Sequence, residues 1–377
     1  MKYYLIAGEA SGDLHGANLM KALDREDAKA DFRVWGGDLM KQARGEVVKH
    51  YRDLAFMGFS EVVKNLRTIL NNFDFCKKDI LKYQPDVLIL IDYPGFNLRI
   101  AKWAKKKNIK VFYYISPQIW AWHAQRVHSI KAHVDKMFVI LPFEKAFYEK
   151  YDYRVDFVGH PLLDIVADFG KNKDKNQTDF RKKNGLSDRP IIALLPGSRK
   201  QEIKKMMVKM LSVIPQFPDY QFVIAGAPSQ PIVLYRAILA DSQMDIPVIN
   251  NQTYSLLYEA HAALVTSGTA TLEAALFEVP EVVCYQGNYL SYLLAKRLIN
   301  VQYISLVNLI LDKPLVEELI QVDFTTEKLA EALKNILQSE KRTTLQAGYQ
   351  LLKTKLGNAG ASERTAKLMY SYLTINH

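Results

Sequence analysis

The residues best suited to chemistry are one carboxylate, one guanidinium and a few glycine-bearing turns, each placed where an apolar run stops. Asp92 follows Val87-Leu88-Ile89-Leu90-Ile91 and opens Asp92-Tyr93-Pro94-Gly95-Phe96-Asn97. A carboxylate at the end of a buried strand is partly desolvated, which raises its proton affinity, and an acid near neutrality suits removal of a proton from an attacking sugar hydroxyl. The other reading of Asp92 is a cap on the following turn, and the residues themselves leave both open. Arg199 closes Leu195-Pro196-Gly197-Ser198-Arg199 after a second apolar run, where a guanidinium fork matches a diphosphate. Ser267-Gly268-Thr269 follows a third, and its small side chains let a phosphate approach a helix N-terminus. Glu273 lies about one turn further, either an acceptor for ribose hydroxyls or a first-turn acid. Gly8-Glu9-Ala10-Ser11-Gly12-Asp13 either cradles a ligand or is a plain strand-to-helix turn with Ser11 or Asp13 as N-cap.

Several familiar arrangements are missing. The dinucleotide fingerprint GxGxxG and the GxSxG elbow do not occur. No DxD triplet is present to hold a divalent ion, so cationic side chains and helix ends must stabilise a departing diphosphate. His123, His128 and His133 recur at a spacing of five, which rotates successive side chains by about 140° on a helix and scatters them. Neither a metal nor a cofactor is expected.

These residues need elements to hold them. Apolar runs at 3–7, 32–36, 86–91, 110–115 and 136–140 alternate with helical patterns, the signature of a parallel α/β sheet covered on both faces. Residues 168–189 lose this periodicity and are read as a linker. The alternation resumes at 190–198, 221–226, 262–268 and 281–285. From about Thr326 the pattern is helical only, with Leu329, Ala332, Leu333 and Ile336 on one face. The expected architecture is two Rossmann-like α/β domains, 1–167 and 190–345, facing a cleft. Helices at 346–377 are expected to pack across the domains or return to the first. Ligands of open parallel sheets bind beyond the carboxyl ends of the strands, and the residues named above lie there.

Length and composition fit this plan. A chain of 377 residues with 49% hydrophobic residues can build two cores. Cys76 and Cys284 fit no disulfide or metal spacing and read as buried thiols in a reducing compartment. The N-terminus MKYYLIAGEASGD lacks a signal-peptide core, and no apolar stretch reaches the ~20 residues of a spanning helix; a cytoplasmic protein is expected. A net charge of +10 implies an anionic partner, which charge does not identify. Residues 53–73 crowd Phe56, Met57, Phe59, Val62, Val63, Leu66, Ile69 and Leu70 around Lys64 and Arg67. That is more than one buried stripe uses, so the segment either enters a bilayer edge or holds acyl chains, or is an ordinary core helix.

Taken together, GEASGD at 8–13, WGGDLM at 35–40, FMGFSEV at 56–62, IDYPGFN at 91–97, SPQIWAW at 116–122, VGHPLLD at 158–164, LPGSR at 195–199, SGTATLEAAL at 267–276 and SLVNLI at 305–310 resemble the lipid-A-disaccharide synthases, glycosyltransferases of the GT-B class. The resemblance implies transfer of 2,3-diacylglucosamine from its UDP derivative to the 6-hydroxyl of 2,3-diacylglucosamine 1-phosphate, with inversion. Asp92 is then the general base, and Glu9, Ser11 and Asp13 line the acceptor side. Arg199, Ser267, Gly268 and Thr269 hold the diphosphate, Glu273 the ribose, and Asn308 another part of the nucleotide or sugar. It also implies peripheral contact with the cytoplasmic face of the inner membrane through Phe56, Met57, Phe59, Val62, Val63 and Leu66, and no nucleic-acid partner. A UDP-sugar 2-epimerase of related architecture and a non-catalytic lipid or nucleotide carrier are the competing readings.

Overall fold

The computed structural model describes residues 1–54, 66–171, 180–287 and 302–375. Two compact units divide the chain: Met1–Asp164 with Asn358–His377, and Ile165–Gly357.

The first unit carries seven parallel strands: β1 (Lys2–Ala7), β2 (Asp31–Gly36), β3 (Glu46–His50), β4 (Val87–Ile91), β5 (Val111–Tyr114), β6 (Lys136–Val139) and β7 (Asp156–Phe157). Their order is β3-β2-β1-β4-β5-β6-β7. Every residue of β4 and β5 is buried, as continuous apolar runs require of a sheet covered on both faces. The register pairs Ala7 with Ile91 and Ile91 with Tyr114. The turns after β1, β4 and β5 therefore emerge side by side. The order reverses between β1 and β4, the switch point where crossover helices diverge and leave a crevice.

The second unit repeats the plan with six parallel strands: β8 (Ile191–Leu195), β9 (Gln221–Gly226), β10 (Val248–Asn250), β11 (Ala260–Thr266), β12 (Glu281–Tyr285) and β13 (Glu317–Ile320), in the order β10-β9-β8-β11-β12-β13. Its switch point lies between β8 and β11, where Leu195 pairs with Val265. The turn carrying Arg199 and the turn carrying Ser267 leave the sheet as neighbours.

Four of these strands, β3, β7, β10 and β13, are not among the apolar runs. The helix Leu162–Lys171 continues past residue 168, and Phe180–Lys183 is again helical; residues 172–179 lie outside the described residues. The tail consists of helices Thr326–Ile336, Ser339–Leu356 and Ala361–Thr374, with Leu329, Ala332, Leu333 and Ile336 buried. The first two belong to the second unit and the last to the first. Asp164 fastens that last helix by accepting from the backbone N–H groups of Gly360, Ala361 and Ser362, which satisfies donors a helix N-terminus otherwise leaves open. Both cysteines are buried. Among the described residues, no helix is long and apolar enough to cross a membrane.

Candidate functional site

In the first unit the switch point is built around Asp92. The backbone turns sharply there, with Asp92 at φ 44° and Tyr93 at φ 48°, both left-handed and unfavourable for residues with a side chain. Such strain persists only where the surroundings fix it. The Asp92 N–H donates to the Tyr114 carbonyl at 3.1 Å. The Asp92 carbonyl accepts from the Tyr113 hydroxyl and, at 2.8 Å, from Asn97 Nδ2. Asn97 is fully buried, and the same Nδ2 lies 3.2 Å from the Ile91 carbonyl and 3.4 Å from that of Ile6. It thus ties the ends of β1 and β4 together beneath the turn.

Above it, the Tyr93 ring lies over Gly8, where an added Cβ would come within 2.4 Å of ring carbons. Only glycine allows that approach. The Asp92 carboxyl is half-buried, and burial, with the Glu9 carboxylate adding to it, raises its pKa to about 6. Glu9 is the residue before the helix Ala10–Glu26 and is half-buried; Ser11 is exposed on its first turn.

Asp13 has a different job. Its carboxylate is buried and accepts from the backbone N–H groups of Gly37 at 2.7 Å, Leu39 at 3.1 Å and Met40 at 3.1 Å. It caps the helix Asp38–Gln42 rather than its own helix, and an added Cβ at Gly37 would lie 2.7 Å from it. Tying β1's turn to β2's turn, Asp13 positions its neighbours.

Other buried titratable groups lie near this edge. Glu144 is buried, and desolvation raises its pKa to about 7 against the N–H groups of Ile140 and Leu141, which donate to it. His15 and His160 are buried and held neutral, with pKa values lowered to about 4 and about 3 by desolvation.

In the second unit the β8 turn is held by Glu202. Gly197 adopts φ 103°, and an added Cβ would sit 2.3 Å from the Glu202 carboxylate, which accepts from the Ser198 N–H at 3.2 Å. Arg199 then precedes the helix Lys200–Leu211 with its side chain exposed. Next to it, the Ser267 N–H donates to the Cys284 carbonyl at 3.0 Å, and its hydroxyl donates to the Ile304 carbonyl at 3.0 Å. Gly268 and Thr269 are exposed at the start of the helix Thr269–Leu276, where the first N–H groups of a helix have no partner within the helix. Glu273 is half-buried one turn on. Burial raises its pKa, and the Tyr254 hydroxyl donates to it at 3.1 Å.

Asn308 stands apart from these groups in its contacts. It is buried, and its amide is fully engaged: Nδ2 donates to the Val316 carbonyl at 2.8 Å and to Glu318 at 2.9 Å, while Oδ1 accepts from the Val316 N–H at 3.0 Å. The side chain fastens the helix Leu306–Leu311 to β13. Of the six apolar positions, Phe56, Met57, Phe59, Val62 and Val63 lie outside the described residues, as does the Leu66 side chain.

Asp92, Glu9 and Ser11 thus share one switch point, and Arg199, Ser267, Gly268, Thr269 and Glu273 share the other. Sequence reasoning missed Asn97, Tyr113 and Glu202. A polar residue in the buried first turn of a helix was the available signal for Asn97; the other two show only once the strands are paired. Among the described residues no cluster of His, Cys, Asp or Glu is arranged to hold a metal ion.

The chain has relatives among known proteins. The family model described as lipid-A-disaccharide synthetase matches residues 3–370. Lipid-A-disaccharide synthases are 40% identical over 369 residues in Syntrophus aciditrophicus, covering 96% of this chain and 95% of the relative. In Trichlorobacter lovleyi the figure is 39% over 373 residues, covering 97% and 96%. Among solved structures, a UDP-GlcNAc 2-epimerase from Neisseria meningitidis bound to UDP-GlcNAc superposes with a TM-score of 0.68 at 14% identity, covering 98% of this chain and 99% of that one. A glycosyltransferase from Rickettsia africae gives 0.55 at 14%, covering 100% and 99%. At such identities these two structures share the fold alone, whereas the sequence relatives share the whole chain. The chain is a glycosyltransferase and belongs to the lipid-A-disaccharide synthase family.

Proposed function

We propose that the chain transfers a 2,3-diacylglucosaminyl unit from its UDP derivative to the 6-hydroxyl of 2,3-diacylglucosamine 1-phosphate, with Asp92 as the general base. The observation that carries this reading is the Asp92 carboxyl at a switch point with a pKa of about 6. Near neutrality it is largely ionised yet basic enough to take a proton in the transition state. As the O6–H bond breaks toward Asp92, O6 attacks the anomeric carbon from the side opposite the diphosphate. The C1–O bond then breaks with its electron pair on UDP, and the configuration inverts.

The leaving diphosphate gains negative charge in that step. Arg199 and the N–H groups at Gly268 and Thr269 are the donors suited to it, since fixed dipoles and cations aimed at developing charge lower the barrier. Glu273 accepts from the ribose hydroxyls. Glu9 and Ser11 border the acceptor; Asp13 and Asn308 act by holding turns in place. The lipid substrates call for work at the cytoplasmic face of a membrane, with the apolar stretch 56–66 against acyl chains.

The test is Asp92→Asn assayed with both lipid substrates in detergent, with products followed by mass spectrometry. Transfer is expected to vanish while UDP affinity stays near that of the parent. Undiminished turnover would remove Asp92 as the base, and release of a 2-epimer without a lipid acceptor would favour the epimerase reading.

A further inference from the structure

In the second unit, β11, β12 and β13 end within one residue of the same level, since Thr266 pairs with Cys284 and Tyr285 with Ile320. The first residue past β13 is Gln321. Its backbone is left-handed at φ 53°, a conformation unfavourable for a residue with a side chain. The residue is only 6% exposed, and its amide Nε2 meets no acceptor among the described residues. A buried donor left unpaired is costly, and backbone strain of this kind collects where ligands are clamped. The strained turn is held by its own backbone, because the Gln321 carbonyl accepts from the Phe324 N–H at 3.3 Å.

The neighbouring strand leaves room in front of that amide. A Cβ added at Gly287 would lie 3.5 Å from Gln321 Nε2 and 3.1 Å from the Tyr285 hydroxyl oxygen. The absent side chain of Gly287 marks a point that both polar groups reach. A ligand hydroxyl placed there accepts from the amide and donates to the phenol oxygen. Neither protein group is charged, which favours a neutral hydroxyl over a phosphate.

The direction of the nucleotide says which hydroxyl arrives. Glu273 accepts from Tyr254, on the helix Thr253–Glu259, which packs against β8, β9 and β10. A ribose at Glu273 lies on that side of the β11 turn, so the hexose at the other end of the diphosphate faces β12 and β13. Two strand spacings put the end of β13 about 10 Å from the β11 turn, within reach of a hexose on the second phosphate.

We propose that Gln321 Nε2 and the Tyr285 hydroxyl together hold a free hydroxyl, at C4 or C6, of the donor hexose. This rests on the placement of ribose and diphosphate in the transfer reading, and it makes Gln321 a residue that selects the sugar and not the nucleotide.

The experiment compares binding of UDP and of UDP-2,3-diacylglucosamine in detergent, by calorimetry, to the wild type, Gln321→Leu and Gly287→Ala. Gln321→Leu removes the donor and keeps the bulk. It should weaken the sugar nucleotide about 3- to 10-fold, the worth of a neutral hydrogen bond, and leave UDP unchanged. Gly287→Ala fills the point itself and should act in the same way. Because the amide is unpaired before the ligand arrives, Gln321→Leu should melt no lower than the wild type. Donors lacking the 4- or the 6-hydroxyl identify the group: one of them should bind the wild type as weakly as the full donor binds Gln321→Leu, and lose nothing further in that variant. A lowered Tm with UDP and the sugar nucleotide weakened alike would overturn the proposal, and so would unchanged binding of both. So would two deoxy donors that each still lose the full factor in Gln321→Leu. Failure of the transfer reading is a different result, the absence of disaccharide from the wild type with both lipid substrates, and leaves the calorimetric comparison to be read by itself.

Discussion

The two switch points share a topology but are finished in opposite ways. At the end of β4, Asp92 sits on two consecutive left-handed residues, its backbone fixed by Tyr113, Tyr114 and Asn97 and its carboxyl half-buried beside Glu9. At the ends of β8 and β11, Arg199, Gly268 and Thr269 are exposed, on turns fastened from beneath by Glu202 and by the Ser267 contacts to the Cys284 and Ile304 carbonyls. A base needs a tuned proton affinity, which demands burial and a fixed position before substrate arrives. A diphosphate brings its own charge, so its donors are best left open until it binds. Damage at the first point should therefore appear in turnover, and damage at the second in nucleotide affinity.

The largest expected effect is that of Asp92→Asn, a fall in kcat of about 10²- to 10⁴-fold with UDP affinity unchanged by calorimetry. The ionised carboxyl is the working form, so wild-type kcat/KM should rise with pH through about 6 and be lost below it. Stability runs the other way. The folded-state pKa is raised above the ordinary aspartate value, so the folded protein holds this proton more tightly, and stability falls as pH rises from about 4 to about 6. Asp92→Asn removes that cost and should raise Tm by about 2–4 °C at pH 7. A residual rate with the wild-type pH limb intact would assign the proton transfer elsewhere.

Which parts of this were legible in the sequence follows from what an apolar run can report. β1, β4, β8, β9 and β12 are buried nearly throughout and read directly from their runs. β3 and β13 are edge strands whose residues, Glu46–His50 and Glu317–Ile320, keep charges toward water. β7 and β10 have two and three residues. None of the four leaves a run long enough to notice. The run at 110–115 stops one residue early because Ile115 turns left-handed at φ 65°, which no rule for a β-branched residue anticipates. Asp92 was visible as a carboxylate directly after five apolar residues. The burial of Asp13 was not, because its partners lie 24 to 27 residues away and are backbone groups. Strand order is set by pairing between distant segments, so the switch points themselves became visible only in the fold.

Arg199→Ala tests the second point. A charge-assisted hydrogen bond to diphosphate contributes about 1.5–3 kcal/mol, so UDP should bind about 10- to 150-fold more weakly by calorimetry. The folded state should be unaffected, since the side chain is exposed. Unchanged affinity would leave the helix N-terminus at Thr269 as the diphosphate site by itself.

Asn97→Ala sharpens the contrast from the other side, because Asn97 touches no substrate and acts through Asp92. Its loss leaves the Asp92 carbonyl with the Tyr113 hydroxyl alone and removes the Asn97 donor from the Ile91 and Ile6 carbonyls, a cost of about 0.5–1.5 kcal/mol in unfolding free energy. The released turn should let Asp92 relax, lowering kcat about tenfold with KM unchanged and moving the pH limb away from 6. If activity instead scales with the folded fraction and the limb stays in place, Asn97 holds the fold and not the base.

The smallest effect belongs to Glu273, where the two kinds of site meet: a half-buried acid with a raised pKa, yet assigned to ligand binding. Glu273→Gln keeps an acceptor oxygen for Tyr254, whose hydroxyl donates to it at 3.1 Å, so the fold should tolerate the change. What it loses is the charge that strengthens hydrogen bonds from ribose hydroxyls, and ionised acceptors bind roughly twice as strongly as neutral ones. UDP should therefore bind about 3- to 10-fold more weakly, and 2′,3′-dideoxy-UDP no more weakly than to the wild type. Equal losses for the two nucleotides would mean that Glu273 shapes the helix Thr269–Leu276 through Tyr254 and does not meet the sugar.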